Sequence, residues 1–217
     1  MSGAIDREET KATRKLATDI QGKHVKNITS GLSQDGLTYT IVDASGRVVN
    51  QVYYQGGYSQ LEEVAAYVFA FHDIPANQTS SKKTNPAKSD WKEWLRLNFS
   101  EFSNDTQKYP NEPSLPGAGT TYQYYEMDVG NTEASYLTNK IGTVYNNGKS
   151  ISRGTRRIVF NRYYYGTTTP VTDPSEIHVF YTADHYKHMQ EYLNYQNGWG
   201  DAFGAGEDYP SVYDLAF

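Results

Sequence analysis

The chain has 217 residues and no cysteine, which excludes disulfides and thiolate metal sites and leaves the fold to stand on packing alone. No run of about 18 apolar residues occurs, so no segment reads as a membrane-spanning helix. The opening residues, Met-Ser-Gly-Ala-Ile-Asp-Arg-Glu-Glu, lack the apolar stretch of a secretion signal. An excess of positive charge is missing as well. Lys and Arg number 20 against 25 Asp and Glu, a net charge of −5, which argues against nucleic-acid binding by bulk electrostatics. Much of that acidity is local: residues 192–217 carry four acidic residues and no cation, whereas residues 58–191 carry 13 cations against 15 acids. A near-neutral domain still grips phosphate where its few cations converge.

Aromatic residues are plentiful, at 14% with 20 Tyr, and this favours a twisted antiparallel sheet over a helical bundle. Residues 5–20 read as a short polar helix. Leu37–Val42 and Arg47–Tyr54 alternate around Asp43-Ala44-Ser45-Gly46, a hairpin pattern. Leu61, Val64, Ala65, Val68 and Phe69 fall at helical spacing and predict a helix over 61–71, stopped by His72-Asp73-Ile74-Pro75. Residues 90–97, with Trp91 and Trp94, read as a second helix, and from Phe99 onward the chain reads as strands and turns. Helices first and a sheet afterwards predict an α+β fold, N-terminal helices packed on a twisted antiparallel sheet. Three parts are expected: an N-terminal extension (1–57), a catalytic domain (58–191) and an acidic, aromatic tail (192–217).

Chemistry concentrates in three strand-like segments carrying Glu126 and Asp128, Arg153 and Arg157, and Asp184-His185-Tyr186. Side chains alternate faces along a strand, so one sheet face can gather a base, an acid and two cations without a metal. Each residue also has a plain reading: a strand Glu as a solvated face residue, Arg153 and Arg157 as surface partners of Asp128, His185 as an exposed histidine. His72 reads as structural, at a helix end whose dipole favours positive charge. His24, His178 and His188 lack partners at metal-ligand spacing, so no metal site and no cofactor are expected.

In their joint order these residues resemble the barnase and binase group of microbial, guanyl-preferring ribonucleases. Residues 63–77, ending in Phe71-His72-Asp73-Ile74-Pro75-Ala76-Asn77, resemble the family's first helix and its exit. Phe102-Ser103-Asn104 resembles its base-recognition loop, and Leu115-Pro116-Gly117 the approach to its catalytic strand; together the likeness spans about residues 58–190. The resemblance implies transphosphorylation of single-stranded RNA, with attack by the ribose 2′-oxygen and a 2′,3′-cyclic phosphate. By that resemblance Glu126 is the general base, His185 the general acid, Arg153, Arg157 and Lys82 the phosphate contacts, and Asp128 the buried acid that fixes the arginines. Lys83 competes with Lys82. Phe102, Ser103, Asn104, Asp105 and Tyr186 then line the substrate.

The pattern also departs from the family. Arg and then a base-reading Glu follow Phe-Ser-Asn there; Asp105 and Thr106 stand here, so Asp105 is the candidate carboxylate and base preference, guanine in the family, is open. Extended hairpins at 131–152 and 162–175 account for the longer separations between the site residues. The alternative is a catalytically silent ribonuclease-like effector or RNA- or protein-binding module. A toxin role would call for an acidic protein inhibitor and, by the family's habit, secretion or delivery to a target cell; the missing signal leaves the cytosol open.

Overall fold

The structure, a computed structural model, describes residues 24–29, 31–58, 60–76, 78–80, 95–97, 100–129, 145–146, 149–150, 155–210 and 213–215. Strands β1 (Val25–Asn27), β2 (Thr38–Val42) and β3 (Val48–Tyr53) precede helix α1 (Leu61–Phe71). There follow β4 (Gln78–Ser80), β5 (Leu95–Leu97), β6 (Ser100–Phe102), β7 (Tyr122–Asp128), β8 (Tyr145–Asn146), β9 (Lys149–Ser150), β10 (Arg157–Tyr164), β11 (Val179–Thr182), β12 (His188–Glu191), β13 (Phe203–Gly204) and β14 (Tyr213–Leu215). The principal sheet has the order β13-β12-β11-β10-β7-β6, with antiparallel neighbours throughout.

The expected α+β class is overturned. Among the described residues the protein is mostly β, with one helix of seven or more residues and this six-stranded antiparallel sheet. Residues 5–20 lie outside the described residues, and 95–97, expected at the end of a second helix, form β5, which pairs in parallel with β4. Leu95-Arg96-Leu97 alternates with period two, and two Trp a turn apart outweighed that signal in the reading of 90–97 as helical. Among the described residues no helix is long and apolar enough to cross a membrane.

Other local patterns fold as read. Around 43–46 the β2–β3 hairpin closes because Asp43 Oδ1 accepts from the backbone N–H of Ser45 (2.9 Å) and Arg47 (3.0 Å), while Gly46 takes φ +78°. Six consecutive residues of α1, Val64 to Phe69, are buried, more than one apolar stripe would bury, so the helix is covered on two sides. Phe69 shows why: its ring meets Tyr39 of β2 at 6.1 Å and Tyr192, just past β12, at 6.4 Å. At the helix end His72 adopts φ +53° and its N–H reaches the Val68 carbonyl. Burial, and then Arg162, push its imidazole down to about 4, so at neutral pH it caps the helix uncharged and the expected dipole effect on a cation does not operate.

Residues paired across neighbouring strands share a face. The registers Ser100↔Glu126, Glu126↔Val159, Asp128↔Arg157, Arg157↔Thr182, Val159↔Phe180 and Phe180↔Glu191 therefore put all of these on one face of the principal sheet. At the β12 end of that face, Glu191 is buried with Lys26: Lys26 Nζ lies 3.5 Å from Glu191 Oε1 and donates to the Ile177 carbonyl, and His178 Nδ1 sits 2.7 Å from the same Glu191 oxygen. Tyr209 donates to the other oxygen. Burial raises the Glu191 carboxyl, but the His178 hydrogen bond, the Lys26 charge and Tyr209 together hold it below the ordinary carboxylate range.

The flanking segments thus complete the sheet's packing. Strand β1 pairs in parallel with β14, the Asn27 N–H donates to the Leu193 carbonyl at 3.0 Å and Asn194 Nδ2 to the Asn27 carbonyl at 2.7 Å. Removing one partner of a buried ion pair leaves an uncompensated charge and costs about 3–5 kcal/mol. Lys26→Ala is expected to lower the unfolding free energy by about that amount; urea denaturation at neutral pH measures it, and a loss below about 1 kcal/mol would show that Lys26 does not neutralise Glu191.

Candidate functional site

The opposite end of the same face carries the residues singled out in the sequence. Asp128, the last residue of β7, lies directly across from Arg157, the first of β10. Their side chains are 1% and 4% exposed, with Nε 2.9 Å from Oδ1, and Arg157 Nη1 donates to the Arg156 carbonyl at 2.7 Å. Such a pair is desolvated, so its short-range attraction must offset the hydration that both charges lose. Two residues back on the same face stands Glu126. Ser100 Oγ, across on β6, donates to its Oε1 at 3.0 Å, and Tyr186 donates to its Oε2.

Tyr186 joins the parts. Burial first, then the hydrogen bond and charge of Glu126, raise its hydroxyl well above the ordinary tyrosine range, and Arg157 opposes that rise. The phenol therefore keeps its proton and holds the Glu126 carboxylate in place. Its ring lies against Phe102 of β6, centroids 4.9 Å apart and 30° between planes, and beside His185 at 4.7 Å. Two largely buried rings thus border the carboxylate and fix it in place from one side.

His185 and Tyr186 occupy a strained turn. Both lie in the left-handed region, at φ +60° and +71°, which costs a side-chain-bearing residue roughly 1 kcal/mol or more. Hydrogen bonds enforce it: His185 N–H donates to the Thr155 carbonyl and Tyr186 N–H to Thr182 Oγ1, both at 3.0 Å. Asp184 ties the turn shut, its Oδ1 accepting from Thr182 Oγ1 (3.1 Å) and His188 N–H (3.0 Å), its Oδ2 lying 2.6 Å from His188 Nδ1. The result presents an exposed His185 imidazole at the rim of the Glu126 site. Strain of this kind gathers where a side chain must be aimed.

The remaining candidates divide. Arg153 and Lys82, with its rival Lys83, lie outside the described residues. Phe102 borders Glu126 through Tyr186, and Ser103 is exposed beside it. Asn104, at φ +47°, spends its side chain on its own loop: Oδ1 accepts from Leu115 N–H at 2.7 Å and Nδ2 donates to the Pro113 carbonyl at 2.9 Å. Asp105 Oδ1 is likewise engaged by the N–H groups of Gln107 and Lys108, each at 3.1 Å. Gly117, at φ +62°, lets the chain turn into β7; a Cβ there would meet the Tyr122 ring at 2.8 Å.

One carboxyl was not picked out from the sequence. Glu112 lies in the loop that Asn104 fastens, and burial, with the charge of Glu126 second, pushes it up to about 7. No spacing rule marks it; only its position in a Pro-rich loop ahead of β7 gave a clue. Among the described residues no three His, Asp or Glu side chains converge as a ligand set for a metal.

No protein-family model matches this chain, and no curated protein matches its sequence.

Two stability effects follow from this geometry. His185→Gly relieves a left-handed side chain and is expected to raise the unfolding free energy by up to about 1 kcal/mol, in chemical denaturation; a loss of stability would show that the turn is not strained. The raised Glu112 carboxyl acts in the other direction. Between the ordinary carboxyl range and about 7 the unfolded chain has ionised this group while the folded one holds its proton, so stability falls as pH rises through that window and levels off above it. Glu112→Gln is expected to remove that component from a melting-temperature series between pH 4 and 8, and an unchanged slope would refute it.

Proposed function

We propose that this protein is an endoribonuclease that cleaves single-stranded RNA by transphosphorylation, without a metal, through the residues around Glu126. The observation that carries the reading is the Glu126 carboxylate held by Ser100 and Tyr186 beside the buried Arg157–Asp128 pair, with an exposed imidazole at the rim. Composition gives no comparable support, since the chain is acidic overall.

In this mechanism Glu126 removes the proton from the ribose 2′-OH as that oxygen bonds to phosphorus, and the bond from phosphorus to the 5′-oxygen breaks. Protonated His185 supplies the proton to the departing 5′-oxygen, which gives a 2′,3′-cyclic phosphate and a free 5′-hydroxyl. Water opens the cycle in a second step with the two roles exchanged. Arg157 offers a planar guanidinium to the phosphorane oxygens, a better match than an ammonium, and Arg153 and Lys82 are proposed to add to it. Asp128 orients Arg157, and Tyr186 orients Glu126 while its ring and that of Phe102 border the substrate.

The resemblance to the barnase and binase group supports cleavage after guanine, with Ser103, Asn104 and Asp105 in the recognition loop. Because the Asn104 and Asp105 side chains brace that loop, their part is to set its backbone. The same resemblance supports a toxin delivered to a target cell and countered by an acidic inhibitor protein, for which the exposed His185 rim is a fitting target.

The test uses purified wild type, Glu126→Ala and His185→Ala with single-stranded RNA in EDTA, and reads 2′,3′-cyclic phosphate ends. Cyclic ends from wild type, reduced at least about 100-fold in each variant, are the expected result. No cleavage by folded wild type would reject the enzyme in favour of a catalytically silent binding module; cleavage that requires added divalent metal would reject the proton-transfer scheme.

A further inference from the structure

One half-exposed carboxylate, that of Asp184, holds the turn that carries His185. Its Oδ1 accepts from Thr182 Oγ1 at 3.1 Å and from the His188 N–H at 3.0 Å, and its Oδ2 lies 2.6 Å from His188 Nδ1. Thr182 is the last residue of β11 and His188 the first of β12, and these strands are neighbours in the principal sheet, with Phe180 opposite Glu191 and Tyr181 opposite Gln190. A single side chain thus ties two paired strands together across residues 183–187, and its anchors are as rigid as the sheet. The Thr182 bond has a second effect. A hydroxyl has one proton and two lone pairs; with the proton given to Asp184, Thr182 Oγ1 turns a lone pair to the Tyr186 N–H, 3.0 Å away. That acceptor, together with the Thr155 carbonyl on the His185 N–H, keeps His185 and Tyr186 at φ +60° and +71°, a conformation that neither residue type favours.

We propose that Asp184 is a positioning residue for His185: by closing this turn it aims the exposed imidazole at the oxygen that leaves phosphorus. The proposal rests on the reading of the Glu126 site as a ribonuclease. Asp184 acts through the backbone, since the imidazole that its carboxylate meets is that of His188. Loosening the turn then removes one of the two proton transfers. Glu126 is still held by Ser100 from β6, and Tyr186 is buried against Phe102, which keeps its hydroxyl on Glu126; the exposed His185 takes its direction from the turn. Glu126 therefore still takes the 2′-OH proton as the 2′-oxygen bonds to phosphorus, while the departing 5′-oxygen loses the proton that His185 gives it. A leaving group that departs as a stable anion needs no such proton.

Two substrates separate the proton transfers, both carrying guanosine or whichever nucleoside the RNA cleavage test selects. One is a dinucleotide, whose 5′-oxygen must be protonated as it leaves; the other is the nucleoside 3′-(4-nitrophenyl phosphate), whose nitrophenolate leaves without a proton. Both give the same 2′,3′-cyclic phosphate. Asp184→Ala is expected to lower kcat for the dinucleotide at least about tenfold, with KM little changed, and kcat for the nitrophenyl ester by no more than about twofold. Asp184→Asn, whose amide oxygen still accepts from Thr182 and His188, is expected to restore dinucleotide cleavage to within about threefold of wild type. In the His185→Ala background, Asp184→Ala is expected to bring no further loss, because both substitutions remove the same proton transfer. Equal losses on the two substrates in a variant that urea denaturation shows to be folded, an additive loss in the double variant, or an unchanged kcat for the dinucleotide overturns the proposal. Should Asp184→Ala not fold, Asp184→Glu, which keeps the charge and sets the carboxylate one methylene further out, takes its place in the same comparison. Turnover of neither substrate by folded wild type, together with no RNA cleavage, would instead remove the ribonuclease reading and this proposal with it.

Discussion

The ion pair between Arg157 and Asp128 is the constraint on which the candidate site depends. It joins the last residue of β7 to the first of β10, and both side chains are almost wholly out of water. Two charges so placed are tolerable only in one register of the two strands, because a slip of one residue would send one of them to the opposite face and leave both unpaired. That register sets where Glu126 stands, two residues along β7. It also places Arg157 where it acts on Tyr186, whose hydroxyl in turn holds Glu126. One buried pair thus orients the carboxylate through a chain of two contacts.

The same sheet face bears a second buried ionic group, Lys26 with Glu191 and His178. Between the two groups lies an aromatic middle: the Phe180 ring is 6.3 Å from Tyr124 on one side and 5.9 Å from Phe203 on the other. The division of labour follows from what closes each end. Segments from before β2 and after β12 cover the Glu191 end, and Tyr209 packs on Phe180 and Phe203 there. The Glu126 end is bordered by two loops, 103–117 and 182–188, and it keeps an exposed imidazole at its rim. One end is finished as packing, and the other is left accessible.

Much of this was legible in the sequence, though unevenly. Helix 61–71 and the hairpin around Asp43 were readable because each rests on local signals, apolar spacing and turn chemistry, which the tertiary fold did not contradict. The sheet placement of Glu126, Asp128 and Arg157 was readable from strand alternation. The fold class was not, because the expected count of helices leaned on residues 90–97, whose described part, Leu95–Leu97, pairs as a strand with β4. Glu112 and Ser100 escaped because their significance arises only from a cross-strand register and a loop fastened by Asn104. Left-handed backbone at His185 and Tyr186 was equally invisible: neither residue type announces it, and the hydrogen bonds to Thr155 and Thr182 impose it from outside.

The parallel pairing of β1 with β14 bears on how the molecule comes into being. His24 meets Asp201 across 177 residues of sequence, and Lys26 waits for Glu191, which lies nearly as far along. A chain made from its amino end produces this strand early and its partners late, so the closing contacts are of very high sequence separation and form last. Until then Lys26 is a free, hydrated cation and the Glu191 end of the sheet is unsealed. Biosynthesis therefore delivers the Glu126 end, built from residues 100–188, before the Glu191 end, which is sealed only once β14 has emerged to pair with β1.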